Sequence, residues 1–309
     1  MMKLGGVVRF VVAAMVPMTT VQPSFGWGGV GHTMINRLAA ANLPGDVPVF
    51  LRSGEALDAM AYLGPEPDRW RNRAERELDA EQAPDHFIDF ERADLVGALP
   101  KRRYDFIRDL AKAQRSHPEF ALTAEKVGMQ PWEVEEIYQK LKIGFREYRK
   151  AIVNNEDTEP VKLAIIYYAG WLGHYVGDGS MPLHTTIQYN GWTGPNPNGY
   201  TTEHHIHSQF ESVFVAANVK PADVAPLVSA TQPKVLADEW ADYMAYLRHT
   251  NSLVEKTYRL EKTGGFKGSG TLAGKDFATE RLAAGAIELR DLIYTAWIRS
   301  GDPVQEYRP

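Results

Sequence analysis

The sequence predicts an all-α fold, a single multi-helix domain, and three observations lead there. Helical periodicity recurs over long stretches, strand alternation is scarce, and no glycine-rich phosphate loop follows a candidate strand. Residues 134–153 (VEEIYQKLKIGFREYRKAIV) place Ile137, Leu141, Phe145 and Tyr148 at helical spacing. Residues 160–178 are a long, mostly apolar run around AIIYYAGWLGHYVGD, as a buried helix requires. Residues 235–256 and 276–299 read as two further amphipathic helices, the second gathering Leu282, Ile287, Leu292, Ile293 and Trp297 on or near one face. The segment 190–202 (NGWTGPNPNGYTT), rich in Gly, Pro and Asn, is expected to be a surface loop. No internal repeat, low-complexity tract or linker divides the chain, so 27–309 is expected to form one domain.

The first 26 residues read as a secretory signal. Lys3 gives a basic start, residues 6–17 an apolar core, and Ser24-Phe25-Gly26 a small-x-small cleavage pattern. Arg9 interrupts the apolar stretch, which is too short to span a bilayer, so no stable membrane insertion is expected. The expected location is secreted or periplasmic, with Trp27 as the new N-terminus. The formal charge of −5 becomes more negative once Lys3 and Arg9 are removed. An acidic protein is a poor match for wrapping duplex nucleic acid, where many cations must neutralise phosphates. Chemistry on phosphates would then need metal ions to supply positive charge. With no cysteine in the chain, thiolate metal sites and cysteine nucleophiles are excluded.

Histidine carries the chemical information, with nine in the chain. His174 and Asp178 stand four apart on the apolar helix, so both lie on one face. His184 follows just past Met181-Pro182, where the proline should end or bend that helix. His207 and Glu211 form a second i, i+4 pair after the 190–202 loop. A single pair of this kind, taken alone, reads as a surface hydrogen bond or ion pair. Two pairs with an intervening His, one inside an apolar helix where a lone carboxylate is costly, point toward metal. In Pro84-Asp85-His86-Phe87-Ile88-Asp89 a His and acids bracket an apolar couple, and in Pro67-Asp68-Arg69-Trp70-Arg71 charges flank a tryptophan. Taken alone, these are a packed loop edge and a solvated turn. The leader from Trp27 to His32 reads as a flexible tail, or as the source of an α-amino ligand once cut.

The order Trp27, His32, Asp68, His86, His174, Asp178, His184, His207, Glu211 resembles the zinc-dependent single-strand nucleases of fungi and plants, the S-one and P-one type. It also resembles their relatives, the bacterial zinc phospholipases C. The resemblance implies a helical fold of that type with three zinc ions in a cleft. Asp68, His86, His174 and Asp178 would hold one ion, and His184, His207 and Glu211 a second. The third would take the amino nitrogen and carbonyl oxygen of Trp27 with His32 and Asp178, whose carboxylate bridges two ions. Asp68 would also orient the attacking water, and Arg71 would stabilise the charged phosphoryl group.

Phe87 and Asp89 match nuclease positions that stack on a base and bind its edge, which suits unpaired nucleotides. The implied activity is cleavage of single-stranded DNA and RNA to 5′-phosphorylated products, with 3′-nucleotidase activity. The short Trp27–His32 interval and the His184–His207 gap are nuclease-like. Glu211 is phospholipase-like, Met181 replaces the usual Gln before Pro-Leu-His, and the fungal disulfides are absent. A phospholipase C acting on phosphatidylcholine-type lipids is therefore the alternative enzyme. A metal-stabilised helical binding protein without turnover is the alternative from another class. No protein partner is implied.

Overall fold

A computed structural model describes residues 27–304, so the expected signal segment 1–26 and its cleavage lie outside the described residues. The fold is all-helical, with no β-strand among the described residues. Its longer helices are α1 (Gly28–Ala41), α2 (Gly54–Leu63), α3 (Arg103–Ser116), α4 (Gln130–Asn154), α5 (Glu159–Asp178), α6 (Pro221–Ser229), α7 (Glu239–Asn251), α8 (Val254–Lys262) and α9 (Leu272–Arg299). None of them is long and apolar enough to cross a membrane.

Helix starts follow from local chemistry. Proline occupies the first turn of α4 and α5, where the missing N–H has no partner to lose. Ser53, Asp238 and Thr271 cap α2, α7 and α9, their side-chain oxygens accepting from Ala56, from Trp240 and Ala241, and from Gly274. The turn between α4 and α5 begins with Asn155 in the left-handed region at φ 54°, a conformation asparagine tolerates better than most residues.

The expected helices at 134–153, 160–178 and 276–299 are present, the first and last beginning four residues earlier and the middle one a single residue earlier. The stretch 235–256 differs, because it is two helices. α7 starts only at Glu239, behind its Asp238 cap, and stops at Asn251, where Ser252 Oγ donates to the His249 carbonyl. The leader also departs from a flexible tail. Trp27 is fully buried and α1 begins at the next residue.

Helices α1, α4, α5 and α9 pack together as the centre of the molecule. The C-terminal half of α5 is buried all round, from Leu172 through Asp178. That explains its apolar sequence and makes each polar residue within it a question of partners. α1 and α5 approach closely at Gly173, where a Cβ would lie 2.0 Å from Asn36 Oδ1. Asn36 is buried and donates to the carbonyls of Met60 and Gly170, tying α1 to α2 and α5. This contact sets His32 of α1 beside the last turn of α5.

Candidate metal centre

Asp178, the last residue of α5, is the hub of a buried cluster. Its Oδ1 lies 3.3 Å from His32 Nε2, while its Oδ2 lies 3.1 Å from His86 Nδ1 and 3.3 Å from His174 Nε2. His184 Nδ1 is 4.0 Å from Oδ1. His174 Nε2 is also 3.0 Å from His86 Nδ1 and 3.9 Å from Asp68 Oδ1. Beside this group, His184 Nε2, His207 Nε2 and Glu211 Oε2 form a triangle with edges of 3.1, 2.9 and 3.6 Å.

Each ligand-bearing segment is placed by its own local structure. His86 ends a 3-10 turn, Ala83–His86, after which the chain becomes extended at Phe87. Ile88 N–H donates to the His184 carbonyl at 2.9 Å, pinning the two His-bearing segments together. Gly128 permits the next layer, because its φ is +91° and a Cβ there would lie 2.1 Å from the Phe87 carbonyl oxygen. His184 sits in a second 3-10 turn, Pro182–His184, after α5 has ended. His207 lies in the short turn Ile206–Ser208 and Glu211 in the π-helical turn Gln209–Phe214 that continues it. Such π-turns are rare and recur at functional sites. Phe210 anchors this one by stacking on Phe266 at 4.1 Å.

Hydrogen bonds decide which imidazole nitrogen faces inward. His174 Nδ1 donates to the Gly64 carbonyl at 2.8 Å, His184 Nδ1 to the His86 carbonyl at 2.6 Å, and His207 Nδ1 to the Tyr189 carbonyl at 3.0 Å. A carbonyl oxygen only accepts, so these rings carry their proton on Nδ1 and turn the Nε2 lone pair inward. Burial pushes His174 well below the ordinary histidine range and His207 down to about 4, so both rings are neutral at pH 7. The Nε2 atoms of His184 and His207 face each other across 3.1 Å, and two rings that each hold a single proton on Nδ1 meet there lone pair to lone pair. A cation turns that repulsion into coordination. Tetrahedral zinc with arms of ~2.0–2.1 Å sets its ligand atoms roughly 3.3 Å apart, close to the edges of this triangle.

The acids support the same conclusion. Both Asp68 carboxylate oxygens are buried without a hydrogen-bond partner, as are His32 Nδ1 and His86 Nε2. Burial, then the charges of Asp178 and Glu211, push Asp68 well above the ordinary carboxylate range. Three acids converging away from water need a positive partner to remain ionised together. Among the described residues, three groups can hold metal ions: His32, His174 and Asp178; Asp68, His86 and His174; and His184, His207 and Glu211. The donor set of imidazoles and carboxylates suits zinc or a similar transition metal better than magnesium or calcium.

Trp27 enters this picture through its ring. Its Nε1 donates to the Gly177 carbonyl at 2.8 Å and to Ser180 Oγ at 2.6 Å, so the start of α1 is fixed next to Asp178. Its carbonyl oxygen accepts from Gly31 N–H at 3.1 Å. The expected amino ligand depends on a cut preceding Trp27, outside the described residues. Arg71 is half-buried, held through Nε by Asp79 at 2.9 Å, and its charge opposes part of the rise at Asp68.

Phe87 is half-buried and Asp89 buried, at alternate positions of the extended chain after His86. Asp89 Oδ2 is 3.4 Å from Arg92 Nη1, and burial raises its carboxyl to about 7. The sequence reading missed the carbonyls of Gly64, His86 and Tyr189 that orient the histidines, since main-chain acceptors leave no trace in residue type. No family model matches this chain, and comparison with the curated proteins finds no match.

Proposed function

We propose that this chain is a secreted phosphodiesterase with three zinc ions, built on the phospholipase C and single-strand nuclease fold. Its proposed substrate is single-stranded DNA and RNA, cleaved to 5′-phosphorylated products, with 3′-nucleotidase activity. The observation that carries the metal reading is the meeting of inward Nε2 lone pairs and buried carboxylates, above all at His184, His207 and Glu211. The order of the ligand types along the chain supports the family and substrate.

Asp68, His86, His174 and Asp178 would hold one ion, and His184, His207 and Glu211 a second. His32 and Asp178 would hold the third with the amino nitrogen and carbonyl oxygen of Trp27. Bound zinc would supply positive charge to the phosphoryl oxygens and make water acidic enough to attack near neutral pH. Asp68 would also orient the attacking water through its buried carboxylate. Arg71, steadied by Asp79, neutralises charge that grows on the phosphoryl oxygens. Phe87 offers a ring face to an unpaired base and Asp89 reads its edge, which a stacked base in a duplex could not reach.

Processed, zinc-loaded protein is expected to release 5′-nucleotides from single-stranded DNA and RNA and to leave duplex DNA largely intact. Release of phosphocholine from phosphatidylcholine, with no nucleotide release, would overturn the substrate while leaving the metal centre. Metal-loaded protein that turns over no phosphodiester would support a binding protein instead.

A further inference from the structure

Helix α5 carries more than metal ligands on the face that ends in the cluster. Leu163, Tyr167, Trp171, His174 and Asp178 recur at helical spacing, so one stripe runs from the centre toward the start of the helix. Beyond His174 the stripe turns aromatic and then reaches solvent, with Tyr167 39% and Leu163 70% exposed. The short helix Glu66–Trp70, which bears Asp68, lies alongside it. Trp70 meets Trp171 edge-on at 5.5 Å, and Tyr167 lies 5.7 Å from Trp171.

Tyr62, at 64% exposure, extends this surface at the end of α2, with the Arg69 guanidinium 4.3 Å over its ring. Arg69 also pairs with Glu66, and Arg71 with Asp79. The five residues 69–73 hold three arginines and no acid, although the chain as a whole is at −5. Arg73 is exposed, and Lys140 Nζ stands 5.0 Å from the Trp171 ring. Two exposed rings, one with a guanidinium plane over it, on a surface that runs from the candidate metal centre, match what unpaired bases require.

We propose that Tyr62, Arg69 and Tyr167 form an extended subsite for a single-stranded polynucleotide, binding nucleotides that flank the cleaved bond. From Tyr167 to His174 is about 10 Å along the helix at ~1.5 Å per residue. That spans about three stacked nucleotides at ~3.4 Å each. The subsite gives the enzyme a preference for strands over single nucleotides, without reading sequence. It rests on the nuclease reading above and extends it.

The test compares kcat/KM on a twelve-nucleotide single strand and on bis-nitrophenyl phosphate for Tyr62→Ala and Tyr167→Ala, both at exposed positions. Each variant is expected to lose about ten-fold on the strand, the size of one base–ring stack, and nothing on the small ester. Tyr167→Phe, which keeps the ring, should retain the parent rate on the strand. Equal losses on both substrates, or none on the strand, overturn the subsite while the nuclease reading stands. Variants slowed only on phosphatidylcholine vesicles would show a lipid-facing surface and overturn it too. A parent protein that cleaves no single strand overturns the nuclease reading and the subsite with it.

Discussion

Asp178→Asn is expected to strip more than one metal ion from each chain and to lower phosphodiester hydrolysis on the order of a thousand-fold or more, about 4 kcal/mol of lost transition-state stabilisation. The substitution keeps the shape of the side chain and removes its charge. In the parent, one carboxylate lies within 3.3 Å of nitrogens on His32, His86 and His174, drawn from three separate segments. It belongs to the group with His32 and His174 and lies 3.1 Å from His86 of the neighbouring group, so neutralising it is expected to weaken both. Elemental analysis of parent and variant, purified side by side, gives the readout. Loss of a single ion, with the rest retained at full occupancy, would contradict a bridging role.

Removing the metal from the parent should lower Tm by about 10 °C or more. Without a cation, Asp68, Asp178 and Glu211 are three acids held close together out of water, beside His86, His174 and His207, whose rings burial holds below the ordinary histidine range. Ligand binding at a thousand-fold over its dissociation constant stabilises by ~4 kcal/mol. For a chain of this size each kcal/mol moves Tm by roughly 2–4 °C, so even one such ion accounts for the shift. Calorimetry with and without chelator measures it. Zinc added back should restore the parent Tm, whereas magnesium should not, since nitrogen-rich donor sets favour the softer ion. An unchanged Tm after complete metal removal would mean the cluster is satisfied by protons and internal hydrogen bonds alone.

Much of the helical frame was legible in the sequence, for physical reasons that differ from element to element. α4 and α9 showed themselves through apolar periodicity, and α5 through its unbroken apolar run. α1 did not, because a Gly-rich start disguises a helix whose first anchor is the indole of Trp27 bonded to Gly177, 150 residues away. The break between α7 and α8 was also hidden, since apolar spacing continues across Ser252 and Leu253 while the backbone turns.

At the site, the i, i+4 pairs were visible as pairs, and Asp178 announced itself as a carboxylate in an apolar helix. The convergence of His32, Asp68 and His86 on that helix depends on long-range packing, which spacing alone does not contain. The expectation that they share a site came from the order of the ligand types along the chain. The inward direction of each Nε2 depends on carbonyls at Gly64, His86 and Tyr189, which any residue could have supplied. The π-turn that presents Glu211 is equally silent, because His207 and Glu211 have the spacing of an ordinary helix.

The buried lone pairs are expected to converge on metal. Anomalous diffraction at the zinc edge, from crystals of protein grown with zinc, tests it most directly. A strong peak is expected bonded to His184 Nε2, His207 Nε2 and Glu211, at about 2.0–2.2 Å from each. Further density is predicted at Asp178, within reach of His32, His86 and His174. A map with no peak between His184 and His207, and one ring turned to donate a hydrogen bond to the other, would contradict it.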